Sequence, residues 1–188
     1  MNDAAVIPCL SGLLERWSVG DRDALNGLLT HLYTEVHDIA VRQLRGERQL
    51  TIQPTALVHE VYLRLASLTH MRLQDRAHFL SVAARVTRQA LVDEARHRRA
   101  QKRSGGNAVT LSDTNLGLSG AVYDALDVDD LLHELEKIDS LAVEVVTLRV
   151  FGGLSIVEAA ASLEVSVATV SRHWATGKAW LAWELSKR

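Results

Sequence analysis

The chain is poor in several things, and each shortage excludes something. One cysteine, Cys9, in 188 residues rules out an internal disulfide framework and any cysteine-based zinc site, and it fits a reducing compartment. Two prolines, Pro8 and Pro54, leave long unbroken stretches rich in Ala, Leu, Val, Glu and Arg, in which strand signals are poor and helical signals strong. The expectation is an all-α fold. No apolar run approaches the ~18 residues of a membrane helix, and MNDAAVIPCL has neither a basic start nor a long apolar core, so a cytoplasmic protein without a membrane partner is expected. No Gly-rich phosphate loop, HExxH pair or metal-ligand cluster is present, and the eight histidines are scattered, so neither catalysis, a cofactor nor a metal is expected. His31 and His37, six apart, are poorly spaced for two ligands on one helix face. A net charge of −2 excludes coating DNA by bulk electrostatics, which needs many cations to displace phosphate counterions. Any nucleic-acid binding is therefore local or assisted by a partner.

What is present is asymmetric. From Arg85 to Arg103 seven Lys/Arg accompany only Asp93 and Glu94, a local +5 in a chain that carries −2. This run lies in FLSVAARVTRQALVDEARHRRAQKR, Phe79 to Arg103, where Phe79, Val82, Ala83, Val86, Ala90 and Val92 to Ala95 form an apolar stripe. Arg85, Arg88, Arg96 and Arg99 fall largely off it. A basic helix face points to a polyanion, with a solvated face as the plainer reading.

In chain order, Leu10 to Trp17 reads as a short helix, and Val19-Gly20-Asp21 as a stop followed by a new cap. A long helix then runs to about Arg45, its stripe including Leu25, Leu28, Leu32, Val36 and Ile39. Gln53 to Leu65, QPTALVHEVYLRL, starts with Pro54 in a first turn, where a missing N–H costs nothing. Leu57, Val58, Val61, Tyr62 and Leu65 face inward; His59, Glu60 and Arg64 face outward and suit a protein partner. The connector SLTHMRLQ is followed by Asp75, an N-cap for the basic helix. His70, Arg72 and Arg76 beside Phe79 fit either an unstacked base, held by cations and a ring, or an ordinary connection.

Residues 104–126 change to Gly, Ser, Asn, Thr and Asp and read as a flexible acidic linker. Between Ser104 and Asp130 lie Asp113, Asp124, Asp127, Asp129 and Asp130 with no Lys or Arg. Its ~23 residues span up to roughly 75 Å, so the flanking modules, residues 1–103 and 127–188, need not touch. In the second module, helices near Asp127–Ile138 and Ser140–Val150 precede SIVE, a capping box at Ser155 and Glu158. After a break at Glu164-Val165-Ser166, Ser166 caps a last helix. Its inward face is Val170, Trp174, Gly177, Leu181 and Leu185, while Ala168, Thr169, Ser171, Arg172, His173 and Thr176 crowd its start on the polar side. Two short helices, a tight turn and a small Ala160 at their crossing make a helix-turn-helix domain for DNA.

With those words in place, nearly the whole chain resembles an extracytoplasmic-function (ECF) sigma factor of bacterial RNA polymerase. ALVHEVYLRL is similar to the family's clamp-binding helix, FLSVAARVTRQALVDEARHRR to its promoter-melting helix, and LRVFGGLSIVEAAASLEVSVATVSRHW to its upstream-promoter-reading domain. QPTALVHE and RAHF resemble a subgroup that some bacteria encode in multiple copies. The resemblance implies core RNA polymerase (clamp of the largest subunit, and flap) and promoter DNA as partners, with an anti-sigma protein or other inhibitor also in view. It implies polymerase contacts at Leu57, His59, Glu60, Tyr62, Leu63 and Arg64, and downstream and melting contacts at His70, Arg72, Arg76, Phe79, Arg85, Arg88, Arg96, Arg99, Lys102 and Arg103. Upstream contacts fall to the six residues that crowd the last helix, and the acidic connection suits a basic channel in the polymerase. Ala56 stands where the family often has an acid, and Glu164 where the turn commonly has Gly, which costs on the order of 1 kcal/mol if left-handed. The rival reading is a regulator that binds its operator without polymerase, with Trp180 and Trp183 either joining a dimer or closing the second core.

Overall fold

The computed structural model describes residues 3–44, 53–68, 75–101, 110–112 and 122–187. Helices α1 (Asp3–Ser18), α2 (Arg22–Leu44), α3 (Pro54–Ser67) and α4 (Arg76–Gln101) form the first module. The second contains α5 (Ala125–Glu136), α6 (Ser140–Val146), α7 (Ile156–Ser162) and α8 (Val167–Leu185). The fold is all-α apart from two three-residue strands, β1 (Thr110–Ser112) and β2 (Val122–Asp124), paired antiparallel with Leu111 opposite Tyr123.

Local chemistry sets the helix ends. Gly20, at φ 95°, donates its N–H to Trp17 O, and the Asp21 carboxylate accepts from the amides of Asp23 and Ala24, which opens α2. Pro54 occupies the first turn of α3, and Asp75 accepts from His78 N at 2.8 Å to open α4. In the second module Asp124 caps α5, Asp139 caps α6, Ser155 and Glu158 close a capping box on α7, and Ser166 caps α8.

Helix α4 is the hub. It packs on α3 within its own module and on α5, α7 and the end of α6 in the other. It accordingly buries more than a single stripe: Phe79, Val82, Ala83 and Val86 are joined by Leu80, Ala84 and Leu91. Each large apolar side chain removed from water stabilises the packed form by about 1.5–3 kcal/mol, and the core runs continuously from α1 to α8.

Three expectations are revised. The flexible acidic segment, as far as it is described, is not free chain: β1 lies against α2, β2 leads into α5, and Ala125 and Leu126 are buried in α5's first turn. Residues 104–109 and 113–121, including Asp113, lie outside the described residues. Two of its carboxylates are committed to the fold, Asp124 as a cap and Asp129 (4% exposed) in an ion pair with Arg88. The modules, free to separate on length alone, are packed together here. Finally, α6 does not run on as an α-helix but widens into a π-helical turn, Thr147–Phe151, in which Gly152 N reaches back to Thr147 O. That turn brings Gly152 against α4, where an added Cβ would sit 2.7 Å from the Ala84 Cβ and 2.6 Å from Leu148 O.

Candidate nucleic-acid interface

The short α7 and the long α8 build the better-presented face. At the end of α7, Val165 N donates to Ala160 O and Glu164 N to Ala161 O, the paired bonds of a Schellman turn. Glu164 occupies the left-handed position at φ 54°, the place where glycine is usual. Val165 then packs on the core, and Ser166 Oγ accepts from Thr169 N at 3.0 Å. Val170, Gly177, Leu181 and Leu185 are buried, and α6 comes close at Gly177, where an added Cβ would lie 3.0 Å from Val146 Cγ2 and push it aside by a few tenths of an ångström. This narrow stripe leaves Ala168, Ser171, Arg172 and Thr176 in solvent, and Arg172 has no ion-pair partner among the described residues.

Two of the six upstream candidates are tied down. Thr169 Oγ1 lies 2.8 Å from Ser166 Oγ and supports the cap. His173 is half-buried, its Nδ1 2.7 Å from Asp139 Oδ2, so the ring locks α8 to the start of α6 instead of pointing freely outward. Burial alone would raise the Asp139 carboxyl, but the Ala142 amide and His173 outweigh it and hold its pKa below the ordinary value. Beneath the helix, Arg149 stacks over Trp174 at 5.0 Å and donates to Leu154 O, and burial lowers its pKa. Trp180 packs against the core, whereas Trp183 is 58% exposed with Lys187 over its ring.

The α4 candidates divide differently. Arg88 donates to Asp129 Oδ1 through Nε (2.9 Å) and Nη2 (2.7 Å), and Arg96 reaches Asp129 Oδ2 at 3.5 Å. Arg85 places Nε (3.2 Å) and Nη2 (2.7 Å) on Glu144 Oε2. Arg76 bridges Glu35 at 3.3 Å and Glu158 at 3.0 Å; burial would lower its pKa, and the two carboxylates reverse that. Arg85, Arg88 and Arg96, with Asp129 and Glu144, line a cavity of about 380 Å³ between α4, α5 and α6. Arg99 is exposed and has no ion-pair partner among the described residues. His70, Arg72, Lys102 and Arg103 lie outside the described residues. Phe79 is a correction: it is fully buried, its ring edge-on to Trp17 at 5.9 Å, and it cannot stack on a base without dismantling the core.

On α3, Leu57 is likewise a correction, because at 2% exposure it serves the core and has no surface for a partner. The presented ridge is His59, stacked on Tyr62, together with Leu63 at 50% exposure. Tyr62 Oη donates to Asn26, and Arg64 joins Glu60 (2.7 Å) to Asp93 (2.8 Å), tying α3 to α4. Among the described residues no group of three or more His, Cys, Asp or Glu could hold a metal, and no helix is long and apolar enough to cross a membrane.

Reading from sequence missed Asp129, Glu144, Glu158 and Asp139 as partners of the basic residues. The excess of acid after Ser104 was visible in the sequence; the pairing of Asp129, Glu144 and Glu158 with α4, and of Asp139 with α8, was not.

The model of the ECF sigma factor family matches residues 9–187, nearly the whole chain. No curated protein matches.

Proposed function

Because the chain belongs to the ECF sigma factor family, which acts in transcription initiation, we propose that it binds core RNA polymerase and directs promoter-specific initiation. The observation that carries this reading is the start of α8: a capped helix, braced from behind by the α7 turn and by His173, with Arg172, Ser171, Ala168 and Thr176 in solvent. A helix held this way is suited to the major groove of the upstream element, where a guanidinium can bond both acceptors of a guanine edge. The α3 ridge of His59, Tyr62 and Leu63 is the polymerase-docking surface, where an exposed apolar side chain beside a ring offers a desolvated centre.

Helix α4 serves the downstream element. Its arginines hold the backbone of the opened strand, and melting is driven by the difference in affinity between single strand and duplex, by that amount and no more. No step needs a catalytic group from this chain. The division of labour follows the helices: α1 to α4 serve polymerase and melting, and α5 to α8 serve upstream reading.

Run-off transcription with core polymerase, with and without the chain, over a library of promoters tests the proposal. Transcripts from a defined subset of promoters, only when the chain is present, are expected. Tight sequence-specific duplex binding by a dimer of the chain alone, with no change in transcription by core polymerase, would instead establish an independent regulator.

A further inference from the structure

The ring of His173 is held at one nitrogen and open at the other. Nδ1 lies 2.7 Å from Oδ2 of Asp139, the cap of α6, and the two side chains are largely buried, at 21% and 23% exposure. Asp139 is ionised at neutral pH: burial opposes the charge, but the Ala142 amide and His173 outweigh it and hold the carboxyl below its ordinary value. An ionised carboxylate only accepts, so Nδ1 carries the hydrogen and the tautomer is fixed. Nε2, on the far side of the ring, has no hydrogen-bond partner among the described residues, yet the buried unsatisfied side-chain atoms among them are Arg149 Nε and Ser162 Oγ. Nε2 therefore meets solvent. Arg172 lies opposite the buried stripe of Val170, Gly177 and Leu181, and His173, about 100° further round, lies at the flank of α8. A helix about 10–12 Å across fills a major groove about 12 Å wide, so its flanks run beside the phosphates that rim the groove. A phosphate only accepts, and a neutral ring with its hydrogen on the Asp139 side would turn a lone pair toward it. Only the imidazolium donates from both nitrogens.

We propose that His173 is a proton-linked phosphate contact: held by Asp139 through Nδ1, it donates Nε2–H to the backbone beside α8, so that binding a duplex takes up a proton. The proposal rests on α8 being the helix that enters the upstream duplex. Asp139 is the one charged group in ion-pair contact with the ring among the described residues. On the elements packed against α8, Glu144 of α6 is paired with Arg85, Glu158 of α7 with Arg76, and Asp129 of α5 with Arg88 and His133, while Arg149 stacks over Trp174. Asp127, Asp130, Glu134 and Glu136 of α5, and Lys137 after it, form no ion pair with the ring, and Arg172 is the adjacent cation on α8 itself. Because duplex prefers the protonated ring, affinity is greatest at low pH, where the ring is already charged, and falls as pH rises and a proton must be taken up.

The test uses the full chain. Phosphate contacts carry no sequence information, so a tetramethylrhodamine-labelled duplex of mixed sequence, about 30 base pairs long, serves as the probe. Its binding is followed by anisotropy from about pH 6 to about pH 8, the range in which imidazole changes charge, and over a series of low salt concentrations. Wild type is compared with His173→Asn, which keeps a donor for Asp139 but lacks Nε2, and with Asp139→Asn and Arg172→Ala. Wild type should bind about tenfold more tightly than His173→Asn at the acid end and equally at the alkaline end. Its salt slope should be steeper by about 1 at the acid end alone. Asp139→Asn, which leaves Nδ1 an acceptor without the charge, should move the rise in affinity to lower pH. A ratio of wild type to His173→Asn that is the same at every pH would show a structural brace and overturn the proposal, while a loss on Arg172→Ala in the same series would leave α8 as the DNA helix. Unweakened binding by Arg172→Ala would overturn that reading of α8 and the proposal with it.

Discussion

Helix α4 holds Arg85, Arg88 and Arg96 against carboxylates of α5 and α6, whereas α8 holds Arg172 in solvent. Both helices are amphipathic and both carry cations, so composition does not separate them. The difference lies in how many neighbours each must satisfy. Helix α8 buries one stripe, Val170, Gly177, Leu181 and Leu185, and the rest of its surface is available. Helix α4 lies between two modules, burying Leu80, Ala84 and Leu91 as well as Phe79 and Val82, and its polar flank becomes part of an internal seam. A basic helix face is therefore a nucleic-acid site only in a conformation that leaves it uncovered.

The largest expected effect breaks the covered side. Arg88→Ala leaves Asp129, its side chain 6% exposed, with only the longer contacts to Arg96 (3.5 Å) and His133 (3.7 Å), and is expected to cost about 3 kcal/mol in urea unfolding. Arg85→Ala removes an exposed pair and should cost less than about 1 kcal/mol. Equal losses would show that burial does not distinguish the two pairs.

On the presented side, Arg172→Ala should relax preference at one upstream base pair by about 1–3 kcal/mol of discrimination while sparing the others. Arg99→Ala, in the other module, should lower activity evenly across upstream variants. Transcription over all four bases at each upstream position reads this directly, and an even loss on Arg172→Ala would assign it to phosphate.

Smaller still is the turn that aims α8. Glu164 sits at φ 54°, so Glu164→Gly should stabilise the chain by about 1 kcal/mol in thermal unfolding, less the entropy that glycine adds to the unfolded chain. The smallest effect is on the acid side. The ordinary carboxyl of Asp139 (3.8) is lowered in the fold, as is that of Glu158 (4.5), the latter chiefly by the Ser155 amide. A carboxyl lowered by folding contributes stability above its unfolded value, and that contribution is lost as pH falls through the lowered one. Asp139→Asn keeps a capping oxygen but not the charge facing His173, so its stability should fall less steeply below about pH 4 than wild type does.

How much of this could be read from sequence follows from the range of the forces. Caps and helix periods are local, so Asp21, Asp75, Ser155 and Ser166 announced the helix starts, whereas the left-handed turn at Glu164 was suggested only by the resemblance, which commonly has glycine there. The outward face of α8 was legible because its stripe is narrow. Phe79 and Leu57 were given surface roles because a motif assigns a role to a stretch, whereas burial is decided by neighbours that sequence spacing does not reveal. The partners of α4 were hidden for the same reason: Arg88 and Asp129 are 41 residues apart, and no periodicity relates them. The π turn at Thr147–Phe151 gives no signal in an apolar pattern of helical period.

The contrast between a presented and a covered arginine is tested most directly by arginine-selective modification of the free, full-length chain with phenylglyoxal, followed residue by residue by mass spectrometry. Arg172 and Arg99 should react at the rate of exposed guanidinium groups and Arg88 well below it, recovering in Asp129→Asn/Glu144→Gln. Equal rates at Arg88 and Arg172 in the wild-type chain would contradict the account.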